Sequence, residues 1–213
     1  MKLVVTAALA ASVPLPCVAK PVGSSLERDV LAEINRVRAH PREVAEELRE
    51  YRRWFHGTVA HFPNGFELAT NEGVNAVDEA IDFLEKQAPL PPLDAGDLLA
   101  LAARDHADEQ RGGGTGHISP SGKNPGDRVK ARGGDIFVAE TIAYGPDDPE
   151  VVVRQFIVDD GVARRGHRTL LFSTMYRFAG VGCGTHADYG NVCVVDYSAT
   201  TNGGPQLPKT ASR

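Results

Sequence analysis

Apolar residues recur at helical spacing, every third or fourth position, through the first half of the chain. Ser24 and Glu27 form a capping-box pattern ahead of the first stripe, and Pro41 suits the first turn of the next helix. Residues 56–70, with their glycines and proline, are predicted to be a loop. The stripes predict four helices, carried by Leu26, Val30, Ile34 and Val37, by Val44, Leu48 and Tyr51, by Val74, Val77, Ile81 and Leu84, and by Leu98, Leu101 and Ala102.

The pattern changes in the second half of the chain. The fourth helix, capped by Asp94 or Asp97, is predicted to run to about Gln110 and to stop at three glycines. Early helices followed by mixed helices and strands favour an α+β layered domain. The later predicted elements are a glycine-rich loop to Asn124, a helix from Pro125, a strand at 136–143, a helix at 150–160, a short helix after His167 and strands at 178–184 and 192–199.

The last two predicted strands form a hairpin whose turn contains Asp188 and Gly190. If the turn centres on Asp188, Cys183 and Cys193 lie directly opposite each other. A non-hydrogen-bonded antiparallel pair brings Cα atoms to about 4.5 Å, which is within reach of a disulfide. The alternative is two free buried thiols, which would fit a chain that is not exported.

The first residues have the pattern of an export signal rather than of a fold. Lys2 precedes an almost wholly apolar run at 3–15, and residues 17–19 offer a cleavage site. We therefore predict a signal peptide at 1–19 and an exported mature chain, extracellular or periplasmic. The apolar run is too short to span a bilayer, so no transmembrane helix is expected in the mature chain. Lipid anchoring through Cys17 is the alternative.

Composition narrows the classes of function. The chain has 213 residues, 42% of them hydrophobic and 24% charged, which suits one domain with a sizeable core. Its net charge of −5, or −6 once Lys2 is removed, argues against a nucleic-acid partner. The sequence has no nucleophile elbow, phosphate-binding loop, His-Glu-x-x-His motif or dinucleotide fingerprint.

One buried acid is predicted in the strand at 136–143. Glu140 shares a face with Val138 and Ile142, so its carboxylate is expected among apolar side chains and needs a partner. That partner is either an arginine, such as Arg168, or a histidine or metal in a cleft.

A second buried acid is predicted at the end of the helix at 150–160. Val152, Phe156 and Asp159 fall at i, i+4 and i+7, so Asp159 continues the buried stripe, while Asp160 is turned roughly 100° away. The alternative is that both acids decorate the helix end. Because acids suit the other end of a helix dipole, the mismatch favours a functional role for Asp159.

His117, in the glycine-rich loop, and His167 are the imidazoles placed best for function. With Glu140 and Asp159 they could line one cleft that binds a divalent metal or performs acid–base chemistry. The remaining histidines are predicted to be a hydrogen-bonded core or boundary residue, His106, and solvated surface residues, His56, His61 and His186.

Four stretches in order resemble the bacterial branch of the CAP superfamily, or SCP domain, which includes cysteine-rich secretory proteins, insect antigen 5 and plant pathogenesis-related proteins. Ala139 and Thr141 stand where the family has Gly and Asn, and Phe156 and Asp159 stand where it commonly has Trp and Glu. The stretches are Gly116-His-Ile-Ser-Pro-Ser-Gly-Lys-Asn-Pro-Gly-Asp-Arg128, Ala139-Glu-Thr-Ile-Ala-Tyr-Gly145, Asp159-Asp-Gly with Arg165-Gly-His-Arg168, and Gly180-Val-Gly-Cys183.

The resemblance implies a three-layer α-β-α sandwich with a central antiparallel sheet at 94–199. A helical N-terminal extension is expected at 20–93, and a polar, disordered tail at 200–213.

The resemblance also implies a cleft in which His117 and His167 bind zinc or another divalent metal, with Glu140 and Asp159 orienting the two rings. No catalytic residue is assigned, although Glu140 and Asp159 are candidates. Three functions compete: a binding or interaction module for a protein, cell-envelope or lipid ligand; a metal-dependent hydrolase with Glu140 as base; and a lipid or sterol carrier.

Overall fold

The computed structural model describes residues 24–205, so the predicted signal peptide lies outside the described part of the chain. A 3-10 turn at Ala163–Arg165 leads into the last helix. The helices are α1 Ser25–Ala39, α2 Pro41–Arg52, α3 Val74–Lys86, α4 Asp97–Glu109, α5 Pro125–Ala131, α6 Pro149–Val158 and α7 Gly166–Leu171. The strands are β1 Phe55–His56, β2 Val59–His61, β3 Glu67–Ala69, β4 Asp94–Ala95, β5 Val138–Tyr144, β6 Phe178–His186 and β7 Gly190–Ser198.

Local capping starts several of the helices where the sequence predicts them. Ser24 and Glu27 form the predicted capping box of α1, in which Ser24 Oγ accepts from the Glu27 N–H at 3.3 Å. A second capping box, Asn124 with Asp127, starts α5. Pro41 occupies the first turn of α2, as predicted.

The central sheet has the order β4-β6-β7-β5. Its three long strands are antiparallel, and the two-residue β4 adds a parallel pair at the edge. Cys183 and Cys193 lie opposite each other in the β6–β7 hairpin, with Cα atoms 4.2 Å apart, and form the predicted disulfide. The same register places Glu140 of β5 opposite Asp196 of β7.

Helices cover both faces of this sheet and make the three-layer α-β-α sandwich that was predicted. α4 lies on one face, against Val192 and Val194 of β7, and α5 packs beside it against α4 and β5. α1, α6 and α7 lie on the other face, against Val195 and Tyr197, with α2 and α3 packed outside them. Because side chains alternate along a strand, Asp196 points to the α4 side.

Two glycines of β6 allow α4 to lie directly on the sheet. A Cβ added at Gly180 would collide with the backbone nitrogen of Ala100, and one at Gly182 would collide with that of Arg104. The helix therefore packs on bare backbone, and this close approach brings its side chains to the candidate site.

The segment before residue 94 is tied into the sandwich. The side-chain amide of Asn35 donates to the carbonyl of Leu93 at 3.0 Å and accepts from its N–H at 2.8 Å. Glu27 accepts from the N–H of Cys183 at 3.1 Å. The buried Arg38 donates to the carbonyl of Leu171 at 2.6 Å. α1 is therefore part of one helical layer of the sandwich.

Several local predictions were wrong. Residues 56–70 are not a plain loop, because β1, β2 and β3 pair within and around them as a small antiparallel sheet. α4 begins after Gly96 without a side-chain cap, since the backbone of Asp94 is engaged in β4, where its N–H donates to Arg177 O at 2.8 Å. The tail stays a prediction, because residues 206–213 lie outside the described part of the chain; at its start the carbonyl of Asn202 accepts from the N–H of Asp135 at 2.8 Å. Strands of two or three residues are too short to show a periodic pattern, and β4 pairs with a strand that is distant in the chain.

Candidate functional site

The first imidazole–carboxylate pair lies on the α4 face of the sheet. Glu140, in the middle of β5, is only 5% exposed. Its Oε1 lies 2.8 Å from Nδ1 of His117, and its Oε2 accepts a short hydrogen bond from Arg128 of α5. The arginine partner of Glu140 is therefore Arg128, not the suggested Arg168, and the carboxylate contacts a histidine and an arginine together.

The loop that carries His117 is fixed at its base. Gly116 has a φ of 98°, in the region that favours glycine. Its N–H donates to the hydroxyl of Tyr144 at 2.8 Å, and its carbonyl accepts from His106 and Gln110. Arg128 donates to the carbonyl of His117 at 3.1 Å. The His117 side chain itself is half-exposed, so one edge of the ring faces solvent.

The second pair joins α6 to α7. Asp159 ends α6 in a left-handed conformation and is buried. Its Oδ2 accepts from the backbone N–H groups of His167 and Arg168, at 2.8 and 3.2 Å. Its Oδ1 lies 2.8 Å from Nδ1 of His167 in a close ion-pair contact whose angle is not that of a hydrogen bond. The acid at the end of α6 therefore caps the start of α7, where the dipole favours it.

Asp160 has a separate role, on the side away from the imidazole. Its carboxylate accepts from the backbone N–H groups of Asn71 and Glu72, at 2.6 and 2.8 Å. Asp159 therefore contacts a histidine, whereas its neighbour Asp160 binds the segment before α3.

The two pairs come from different helical layers, on either side of the edge strand β5. His117 and Glu140 lie on the α4 side, while α7 with His167 packs near β5 on the other side. Within residues 24–205 no hydrogen bond, ion pair or ring contact joins one pair to the other. In the same part of the chain no three His, Cys, Asp or Glu side chains meet as metal ligands. Any shared metal would therefore rest on two imidazoles.

Sequence reasoning missed Asp196, which lies directly opposite Glu140. It is fully buried, and neither carboxylate oxygen has a hydrogen-bond partner in the described residues. Burial first, and then the charge of Glu140, raise the pKa of Asp196 well above its usual range, against the opposing effect of Arg128. Alternation with Val192 and Val194 places this acid on the same buried face, but its position opposite Glu140 depends on the strand register.

Two other histidines, His106 and His186, contact the glycine-rich loop that carries His117. His106 is fully buried and hydrogen-bonded to the carbonyl of Gly116 at 2.9 Å, as its core prediction requires. His186 was predicted to be solvated but is buried, with Nε2 2.7 Å from the carbonyl of Gly114. Its ring lies beside Tyr144 and Tyr189 because the glycine-rich loop folds over the end of the hairpin.

A sheet between two helical layers, a disulfide-linked hairpin and paired imidazoles and carboxylates define a protein of the CAP, or SCP-domain, class. The chain belongs to the cysteine-rich secretory protein family, whose family model matches residues 31–197. That match begins within α1, inside the segment predicted to be an extension.

Solved structures of similar proteins include two from bacteria. An extracellular protein containing an SCP domain, from Bacillus anthracis, is 21% identical, with a TM-score of 0.43 over 60% of this chain and 38% of its own. An outer surface protein of Borrelia burgdorferi is also 21% identical, with a TM-score of 0.41 over 56% of this chain and 86% of its own. The chain thus spans less than half of the Bacillus protein. No curated protein sequence gives a match.

The helices of the described chain fall short of the requirements of a membrane span. None within residues 24–205 combines the length and the apolar character needed to cross a bilayer.

Proposed function

We propose that this chain is an exported CAP-domain binding module that takes up a divalent metal ion, such as zinc, through His117 and His167. One observation carries the proposal: Nδ1 of each ring lies 2.8 Å from a buried carboxylate, Glu140 or Asp159. Nε2 of each ring forms no hydrogen bond within the described residues. A carboxylate beside Nδ1 favours a proton on that nitrogen, through a hydrogen bond at His117 and a close electrostatic contact at His167, and so leaves Nε2 as a ligand.

The chemistry of the donor set fits a borderline metal held with modest affinity. Neutral imidazole is a good ligand for Zn²⁺, and two protein ligands leave positions open for water or a bound partner. A bound metal would supply a Lewis-acidic anchor for an anionic group of that partner. Arg128 balances the charge of Glu140, so the His117 pair does not need a metal to be stable.

Export is supported by the family and by the disulfide. Disulfides form and persist in oxidising compartments, and the Cys183–Cys193 bond is the link expected for a secreted chain. Cleavage near Ala19, with anchoring through Cys17 as the alternative, remains a prediction for residues outside the described part.

The two alternative functions have less support. As a hydrolytic base Glu140 would need a free oxygen, yet Oε1 contacts His117 and Oε2 is bonded to Arg128. For a lipid carrier a continuous apolar surface is expected. Within residues 24–205 no ring contact joins the exposed large apolar side chains of different segments, which are Phe66, Leu68, Ile118, Ile136, Phe137, Met175 and Tyr189.

Calorimetric titration of zinc into the oxidised, secreted protein tests the metal proposal. We expect reversible binding at neutral pH that is lost as the imidazoles protonate at acid pH. His117→Ala and His167→Ala should each abolish it. His61→Ala is the matched control, because His61 also has Nδ1 2.8 Å from a glutamate, Glu67, but on an exposed surface. Equal zinc affinity in wild type and His167→Ala would overturn the assignment.

A further inference from the structure

The loop between α6 and α7 has an unusual backbone. Asp159, Arg164 and Arg165 have φ values of 56°, 59° and 51°, and they are the positive-φ residues other than glycine in the described chain. Left-handed backbone is unfavourable for residues with a side chain, and it persists where surrounding contacts over-determine it. His167 follows two residues after Arg165, so the contacts that hold this loop also set the imidazole.

Arg165 uses all five of its N–H donors to hold the loop. Nη1 and Nη2 donate to the two carboxylate oxygens of Glu72, each at 2.6 Å. Nε and Nη2 donate to Oε2 of Glu79, at 2.9 and 2.7 Å, and Nη1 donates to the carbonyl of Asp159 at 2.8 Å. A lysine ammonium cannot reproduce this planar fork. Hydrogen bonds from Arg165 first, and from Gly161, lower the pKa of Glu72 to about 2.

The partners of Arg165 are themselves held by the loop. The N–H of Gly161 donates to Oε1 of Glu72 at 2.7 Å, and the N–H of Glu72 donates to Asp160 at 2.8 Å. Arg168, one residue after His167, donates to Glu79 at 3.0 Å. The segment before α3 and the middle of α3 therefore hold the α6–α7 loop through reciprocal contacts.

These contacts end at the second imidazole. Asp159, whose carbonyl accepts from Arg165, accepts from the N–H of His167 through its carboxylate and lies 2.8 Å from the ring. We propose that Arg165 is a positioning residue for His167: its fork to Glu72 and Glu79 holds the loop that keeps the imidazole beside Asp159. The expected effect of Arg165 on zinc binding rests on the proposed function, whereas its expected effect on the His167 ring does not.

The chain offers a matched control in the preceding residue. Arg164 has the same charge and nearly the same φ, and it is exposed. Its side chain makes no ion pair within residues 24–205. Arg164→Lys therefore makes the same chemical change in the same loop without touching the fork.

Two measurements on wild type, Arg165→Lys and Arg164→Lys test the proposal. Long-range ¹⁵N–¹H NMR of the imidazoles reports which nitrogen of His167 carries the proton. Zinc titration measures the affinity, which depends on how the imidazole ligand is oriented. We expect one Nδ1-protonated form of His167 in wild type and Arg164→Lys, and mixed tautomers in Arg165→Lys. Zinc affinity should fall roughly tenfold in Arg165→Lys, the effect usual for residues that orient a ligand.

A single unchanged tautomer in Arg165→Lys would overturn the proposal, whatever zinc does. If no variant binds zinc but the tautomers change as expected, the metal function fails and the positioning role stands. Circular dichroism confirms that each variant is folded. Should Arg165→Lys fail to fold, Glu79→Gln decides, because it weakens one half-exposed partner of the fork and should shift the tautomers in the same direction.

Discussion

Asp159 serves two helices, and its backbone conformation allows it. The left-handed φ of 56° ends α6 and turns the carboxylate toward the first N–H groups of α7. Its position at a helix C-terminus, unfavourable for the dipole of α6, is favourable for the dipole of α7. Glu140 is likewise defined by its contacts, since it accepts from Arg128 while lying against His117.

At the residue scale, Asp196→Asn should change how stability depends on pH. The pKa of Asp196 is raised in the folded protein, so its stabilising contribution is complete below the unfolded pKa of about 4 and is lost as pH rises toward the folded pKa. Asparagine stays neutral. We expect wild type to lose about 1–3 kcal/mol relative to the variant between pH 4 and pH 7, measured by urea unfolding.

The difference between the two proteins cancels the effect of groups far from Asp196. Glu140 and Arg128, which act on Asp196, are present in both proteins. Parallel stability curves for wild type and variant would contradict a buried acid with a raised pKa.

Removal of Arg128 should be among the most destabilising single changes at this site. Arg128→Met leaves the buried Glu140 without its cation, and breaking a buried pair costs about 3–5 kcal/mol. Adding Glu140→Gln to the same protein should recover most of that loss. Denaturant unfolding of the two single variants and the double variant measures the coupling. Independent, additive effects would show that the pair contributes nothing as a pair.

At the scale of elements, α4 and β6 share the closest contact of the sandwich. Gly180 and Gly182 expose strand backbone where α4 crosses it, and α4 carries His106 toward the loop of His117. The hairpin of β6 and β7 adds the disulfide and, through Asp196, the acid opposite Glu140. The geometry of the site therefore follows from how one helix lies on one sheet.

Gly182→Ala should separate α4 from the sheet. The new Cβ would meet the backbone of Ala103 and Arg104, which cannot move without shifting the helix, and we expect a loss of about 1–3 kcal/mol. Gly184→Ala is the control, because its Cβ would lie 3.6 Å from the Ala107 side chain, an ordinary contact. Thermal unfolding compares the two. Equal melting temperatures for both variants would refute a packing role for Gly182.

At the scale of the whole molecule, α1 from the early part of the chain and α7 from the late part belong to the same sandwich. α1 contributes Val30 and Ile34 to the main core, and Asn35 and Arg38 bind the connector and the end of α7. Glu72 and Glu79 accept hydrogen bonds from Arg165, in the loop before His167. Deleting residues 24–93 is therefore expected to expose the hydrophobic core, because this segment is not a separate extension of the sandwich.

The secreted protein should begin near Lys20. The apolar run at 3–15 and the small residues that follow it are predicted to act as a signal for export and cleavage. Intact-mass measurement of protein from the culture medium or periplasm gives the first residue directly. A retained N-terminus, or a mass that includes a diacylglyceryl group on Cys17, would contradict cleavage near Ala19.

Short-range patterns in the sequence determined much of this protein. The capping box of Ser24 and Glu27 depends on neighbouring residues, and so does the proline at the start of α2. The hairpin symmetry about Asp188 placed Cys183 opposite Cys193. Helical and strand periodicity also placed Asp159 and Glu140 inward, because periodicity states which face of an element is buried.

Only the tertiary structure decided what covers each buried face. Arg128 rather than Arg168 pairs with Glu140, Asp196 lies across from it, and His186 is buried under the glycine-rich loop. These contacts join segments that are far apart in the chain or meet through loops. Their formation depends on strand register and helix packing, which are properties of the assembled core. A sequence pattern reports the side chain's direction along its own element, and the identity of its neighbour is settled only when the layers meet.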